Sequence, residues 1–170
     1  MTGTIAINKV KNYVMDDLKR QANDQALNDE IIGNDGFFPA ISLLNVRNAM
    51  RLDGTITNER LKMAVIEAMA TVNHNLKPYK DRIRSGNAFT LEELEDEQIN
   101  GESITIQRYK RAVYCLACAN LQERYRSYDS TKNGAEKAQE FENSVDDLRR
   151  DAFFAIRDIL GKGRINVELI

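Results

Sequence analysis

The sequence predicts an all-α protein, a small helical bundle built around one long central helix. Three observations carry that prediction. From Glu102 to Asp129, apolar residues recur at spacings of three and four, the stripe of a helix packed on other helices. Two further stretches, one starting at Thr57 and one following Gly134, share that period. The chain has 170 residues, 42% of them hydrophobic and 29% charged, which suits one domain with a real core and a helical surface.

In order, residues 1–36 read as a variable leader, 37–163 as the helical bundle and 164–170 as an extended tail. In the leader, Ile5, Ile7, Val10, Val14 and Leu18 could form a short amphipathic helix whose apolar side needs a partner surface. Gly33-Asn34-Asp35-Gly36 reads as a break. Phe37-Phe38-Pro39 opens the compact part. Pro39 fits the first turn of a short helix, where a missing donor costs nothing. Ile41, Leu44, Val46 and Met50 are its expected buried side, and Gly54 its expected positive-φ stop.

Thr57 is the expected N-cap of the next helix, with Glu59 in the first turn. Leu61, Val65, Ala68, Met69, Val72, Leu76 and Ile83 form its stripe. Pro78 should kink or end it near Lys77, and Ser85-Gly86-Asn87 ends the element. Residues 87–101 form a connection with an acidic run from Glu92 to Glu97, where Leu91 and Leu94 could pin a turn. Asn100-Gly101 is a turn before the central helix.

The central stripe is Ile106, Tyr109, Val113, Leu116, Ala117, Asn120, Leu121, Tyr125 and Tyr128. Small residues between Ala112 and Ala119 let a neighbouring helix come close. After a polar turn, Ser130 to Gly134, a last helix carries Phe141, Val145, Leu148, Ala152, Ala155, Ile156 and Ile159 on one face. Phe153 and Phe154 are adjacent, so they cannot both enter one core, and one should be free to meet another subunit. Gly161-Lys162-Gly163 stops the helix. The tail RINVELI alternates in β fashion and, with no sibling strand in the sequence, asks for a sheet edge on another chain.

Several chemistries find little support. Formal net charge is −2, without the basic excess of a protein that grips nucleic acid. No apolar run approaches the roughly 18 residues of a membrane span, and the first residues do not read as a signal peptide, so a soluble intracellular protein is expected. Cys115 and Cys118 form a C-x-x-C pair, but His74 is the single histidine and the context is helical. Buried structural thiols are expected rather than a zinc or redox site. The acidic run lacks the spacing of a calcium loop. No catalytic constellation, metal site or cofactor is expected. Glu123-Arg124-Tyr125-Arg126 is either an ion-pairing cluster or part of a subunit interface.

FFP at 37–39, NVRNAMRLDGTITNERL at 45–61, AVYCLACANLQERYRSYDST in and after the central helix, and DDLRRDAFFAIRDILGKGRINVELI at the end together resemble the head-completion proteins of contractile-tailed temperate phages. The resemblance covers about residues 37–170. It implies a structural protein of the virion neck, not an enzyme: an adaptor, dodecameric in the virion, that docks on the portal as a ring after DNA packaging. It further implies that the ring helps retain the DNA and offers a platform for tail attachment. The implied partners are the portal protein, a tail-completion or next neck-ring protein, further copies of the chain, and double-stranded DNA passing without sequence-specific binding; no membrane is involved. Portal docking is expected of Arg164, Ile165, Asn166, Val167, Glu168, Leu169 and Ile170, as a strand added to a sheet edge. Subunit contacts are expected of Arg124, Tyr125, Arg126, Phe153 and Phe154. The alternatives are a transient assembly factor and a small redox protein using Cys115 and Cys118.

Overall fold

The computed structural model describes residues 29–52, 56–86, 89–124 and 134–163, with side chains in the last stretch from residue 144 onward. The body formed from Ile31 on is considered by itself. Its elements are β1 (Ile31–Ile32), β2 (Ile41–Ser42), α1 (Leu43–Ala49), α2 (Asn58–Asn75), α3 (Lys77–Arg84), β3 (Gln98–Ile99), β4 (Glu102–Ser103), α4 (Ile104–Arg124) and α5 (Gly134–Ile159). The protein is mostly helical, with two small antiparallel sheets, β1–β2 and β3–β4.

α4 is the axis, and α2 and α5 pack along it. Its buried residues are Ile106, Tyr109, Ala112, Val113, Cys115, Ala117, Cys118, Ala119 and Leu121. Ala112 and Ala117 expose no surface at all, so the neighbouring elements cover them completely. α2 contributes Leu61, Ala64, Val65, Ala68, Met69 and Val72. α5 contributes Val145, Ala152, Ala155, Ile156 and Ile159. The expected stripes hold, although Leu116, Asn120 and Leu148 are only half-buried, as is Ile83, which lies in α3 and not in α2. Tyr125, Tyr128 and the side chain of Phe141 lie outside the described residues.

Helix boundaries follow their caps. Thr57 Oγ1 accepts from Arg60 N, as the sequence predicts. α2 ends at Asn75, and Pro78 sits at the start of α3, where its missing donor is tolerated. α1 starts later than Pro39, because Ile41 and Ser42 pair with Ser42↔Ile31 and Ile41↔Ile32 registers. Ser42 Oγ then caps Asn45 N at 3.0 Å. Leu43 and Val46 are buried, with Leu44 and Met50 half-buried. The positive-φ stop falls at Arg51 (φ 52°), not Gly54. Leu52 N reaches Arg47 O at 3.0 Å and closes the left-handed turn; Gly54 lies outside the described residues.

α4 begins at Ile104 rather than Glu102. Glu102 and Ser103 pair instead with Ile99 and Gln98. Asn100 (φ 56°) and Gly101 (φ 75°) make the two-residue turn that a right-twisted hairpin prefers.

The body also starts earlier than Phe37. Ile32 is buried, and Ile31–Gly36 runs into the packed segment. The reason is a loop turned inward by polar bonds. Asp35 Oδ1 accepts from Phe37 N (3.0 Å) and Phe38 N (3.1 Å). That turn drives both rings into the core, where Phe38 stacks on Tyr109 at 4.8 Å between centroids. Residues 1–28 and 164–170, and with them the leader helix and the β-type tail, lie outside the described residues.

Candidate functional site

Three surfaces of the body carry chemistry beyond packing. The first is an open cleft of about 500 Å³ between the two small sheets, with α4 along one wall. Its apolar lining includes Ile31, Pro39, Leu94, Ile106 and Tyr114. Glu92, Glu102 and Lys110 supply its charge, and Lys110 is bonded to Glu102. From Phe89 to Gln107 the chain has six acidic side chains and no basic one, and Glu92 and Glu102 of these line the cleft. Ile31 and Ile99 are exposed at 65% and 56% beside this acid-rich segment.

The rim is rigid because the acidic run caps backbone. Glu93 Oε2 accepts from Phe89 N at 2.7 Å. Asp96 Oδ2 accepts from Ser103 Oγ (2.8 Å) and Thr105 N (2.9 Å), closing the start of α4. The Thr105 side chain and these bonds hold the Asp96 carboxyl at about 2, against a cost of burial. Two of the acids are thus structural caps, not calcium ligands.

The second surface is the flank of α5. Arg108 meets Asp158 at 3.7 Å and Arg111 meets Asp151 at 2.8 Å, so α5 runs antiparallel to α4. Phe153 is 49% exposed and Phe154 half-buried, so the pair splits between solvent and protein as expected. One turn either side of Phe153 stand Arg149, Arg150 and Arg157. Arg149 bridges to Glu123 at 2.5 Å, and Arg150 to Asp147 at 2.6 Å. Arg124 is exposed; Tyr125 and Arg126 lie outside the described residues.

The third is the end of α5. Gly161 (φ 67°) takes the left-handed position, and Lys162 N returns to Arg157 O at 2.9 Å. Arg157 Nε then donates to Gly163 O at 2.8 Å, with Nη2 on the same oxygen. The described chain is thus tied back to α5 at Gly163.

Behind these surfaces lies a polar node. Tyr109 Oη donates to Asn73 Oδ1 (2.7 Å) and accepts from Asn34 Nδ2 (2.7 Å), while Asn73 Nδ2 donates to Asn34 Oδ1 (2.8 Å). Burial keeps the phenol protonated well above its ordinary range. Burial would raise the Asp35 carboxyl, yet the Lys80, Phe37 and Phe38 bonds outweigh it and hold it low.

Cys115 and Cys118 are buried free thiols. Burial pushes Cys115 up to about 11 and raises Cys118 as well, which leaves neither as an attacking thiolate. His74 is exposed. Among the described residues no group of His, Cys, Asp and Glu could hold a metal, and no helix is long and apolar enough to cross a membrane. Sequence reasoning missed the exposed apolar positions Met63, Ile66 and Phe89, since an amphipathic period marks the inner face and says little of the outer one.

Comparison with known proteins decides the family. Residues 32–170 match the model for the phage head completion protein (GPL). The chain belongs to the phage head completion protein family. It is 37% identical over 147 residues to the head completion/stabilization protein of Escherichia phage P2, covering 86% of this chain and 87% of that one. It is also 27% identical over 148 residues to the probable head completion/stabilization protein of Haemophilus phage HP1, covering 86% and 96%. No solved structure matches the chain. The family match starts within β1, one residue from where the body starts. Membership in this family makes the protein a structural component of the phage particle that serves head completion.

Proposed function

We propose that this head-completion protein acts in the neck. It assembles as a ring on the portal after DNA packaging, helps retain the packaged DNA and presents a platform to the next neck or tail protein. Residues Arg164, Ile165, Asn166, Val167, Glu168, Leu169 and Ile170 dock on the portal as an added strand. The observation that carries this reading is the root of that segment. A glycine-stopped helix and a two-pronged Arg157 grip fix Gly163, immediately before seven residues of alternating pattern. The family match runs through residue 170, so the segment belongs to what these proteins share.

Charge supports the same picture. At −2 per copy a ring lacks the net positive charge that grips a duplex, which supports DNA passing without sequence-specific contact. The test is a chain truncated after Gly163, added to packaged heads that lack the protein. Loss of attachment, with the helical fold intact by circular dichroism, is the expected result. Attachment at the wild-type level would refute docking through this segment. A transient assembly factor would instead be missing from purified mature particles.

A further inference from the structure

We infer that Phe153 and its arginines on one copy seat in the acidic cleft of the next, and that this contact propagates the ring. The inference rests on the ring reading above and supplies its interface.

Position comes first. At about 100° per residue, the cleft-lining residues of α4 (Ile106, Lys110, Tyr114) lie roughly 130° around the axis from Arg108, Arg111 and Cys115, which face α5. Around α5, Phe153 lies roughly 150° from Asp151 and Asp158, the residues that meet Arg111 and Arg108. The cleft and Phe153 therefore sit on different sides of the α4–α5 pair, and Phe153 cannot enter the cleft of its own chain. Two unlike surfaces on different sides of one molecule make a head-to-tail contact. Such contacts close into rings when the rotation allows.

Chemistry agrees with position. Phe153 is an exposed aromatic side chain with Arg149, Arg150 and Arg157 one turn away. Aromatic and arginine side chains are the pair most favoured at the centre of protein contacts. The cleft offers Ile31, Leu94, Ile106 and Tyr114 to the ring, and Glu92 with the acidic rim to the guanidinium groups. Its volume, about 500 Å³, exceeds what one aromatic side chain needs, leaving room for the arginine stems beside it. Glu123, Asp146 and Asp147 temper the positive flank and Lys110 balances Glu102 in the cleft, so the charge match rests on Glu92 against the remaining guanidinium donors.

The test pairs Phe153→Cys with Gln98→Cys, since Gln98 lines the cleft. Full-length double variant is assembled onto heads and treated with a short bismaleimide; buried Cys115 and Cys118 provide the slow background. A ladder of products beyond the dimer is expected from the double variant and from neither single one. A dimer from Phe153→Cys alone would mean a two-fold contact and overturn the proposal. So would heads that carry the double variant at the wild-type level and yield only single chains; the ring reading would survive that result. Wild-type heads carrying isolated copies would instead defeat the ring reading. Should the cysteines impair assembly, a charge exchange decides. Arg150→Glu and Glu92→Arg are each expected to lower incorporation roughly tenfold, whereas an equal mixture of the two single variants, which can alternate with opposite charge at every contact, should recover. The double variant, which restores opposite charge across every contact, should recover. Unchanged incorporation of the single variants, or no recovery in the double one, refutes the contact.

Discussion

The middle of α4 and its first turn are held by different physics. From Ala112 to Leu121 the helix is fixed mainly by close packing of small and aliphatic groups. Around Ile104 to Tyr109 it is fixed by named polar bonds: Asp96 and Ser103 at its start, Asn34 and Asn73 on Tyr109. Packing tolerates no added volume but is indifferent to chemistry at its edges. The polar end accepts solvent nearby but fails when one acceptor or donor is deleted. Both proposed docking surfaces lie toward the polar end: the cleft is built on Asp96, Ser103 and Glu102, and the α5 root sits beside Arg108 through Asp158.

The sharpest way to break this contrast is to overfill the middle. Ala117→Leu, at a site with no exposed surface, should cost about 1–3 kcal/mol in urea unfolding. A neutral result would mean the helices there are not in close contact. Tyr109→Phe keeps the ring stacked on Phe38 and removes the hydroxyl. Asn73 Oδ1 then loses its donor, and a loss of about 1–2 kcal/mol is expected in the same assay. If Tyr109→Phe were damaging while Ala117→Leu were silent, the contrast would be reversed. The smallest effect belongs to Asp96→Ala, about 1 kcal/mol for a lost helix cap at neutral pH. Its pH dependence sharpens the assignment. The Asp96 carboxyl is held at about 2 in the fold against 3.8 unfolded, so its contribution is complete above the unfolded value and is lost as pH falls toward 2. The stability gap between wild type and Asp96→Ala should therefore narrow over that window. A constant gap would show that the cap does not depend on the charge.

The same division explains what could be read from residues alone. The packed middle was legible because burial repeats with the helical period: Tyr109, Val113, Ala117 and Leu121 announce one face. Local chemistry was legible too, in the Thr57 cap and the Asn100-Gly101 turn. The strand pair β1–β2 was not, because two residues are too short to show any period. The Asn34–Asn73–Tyr109 node joins residues 36 to 75 positions apart, and no local pattern encodes such a meeting. Asp96 reads as one charge in an acidic run until Thr105, nine residues on, comes back to it. Arg51 in a left-handed turn is a tertiary override, for the nearby Gly54 was the better residue by conformational preference alone. The cleft inherits this opacity, since its walls come from β1, the 89–97 connection and α4 at once. Phe153 was visible early only because its neighbour is also phenylalanine, which forces a choice between inside and outside.

The Arg157 clamp on Gly163 also has a mechanical meaning. A pull on the chain beyond Gly163 would be shared between the covalent backbone and a guanidinium one turn back inside α5. Load would then run along the helix and into the Asp158–Arg108 and Asp151–Arg111 rungs in shear, several bonds at once, rather than unzipping the last turn residue by residue. A joint built this way gains toughness from a single side chain.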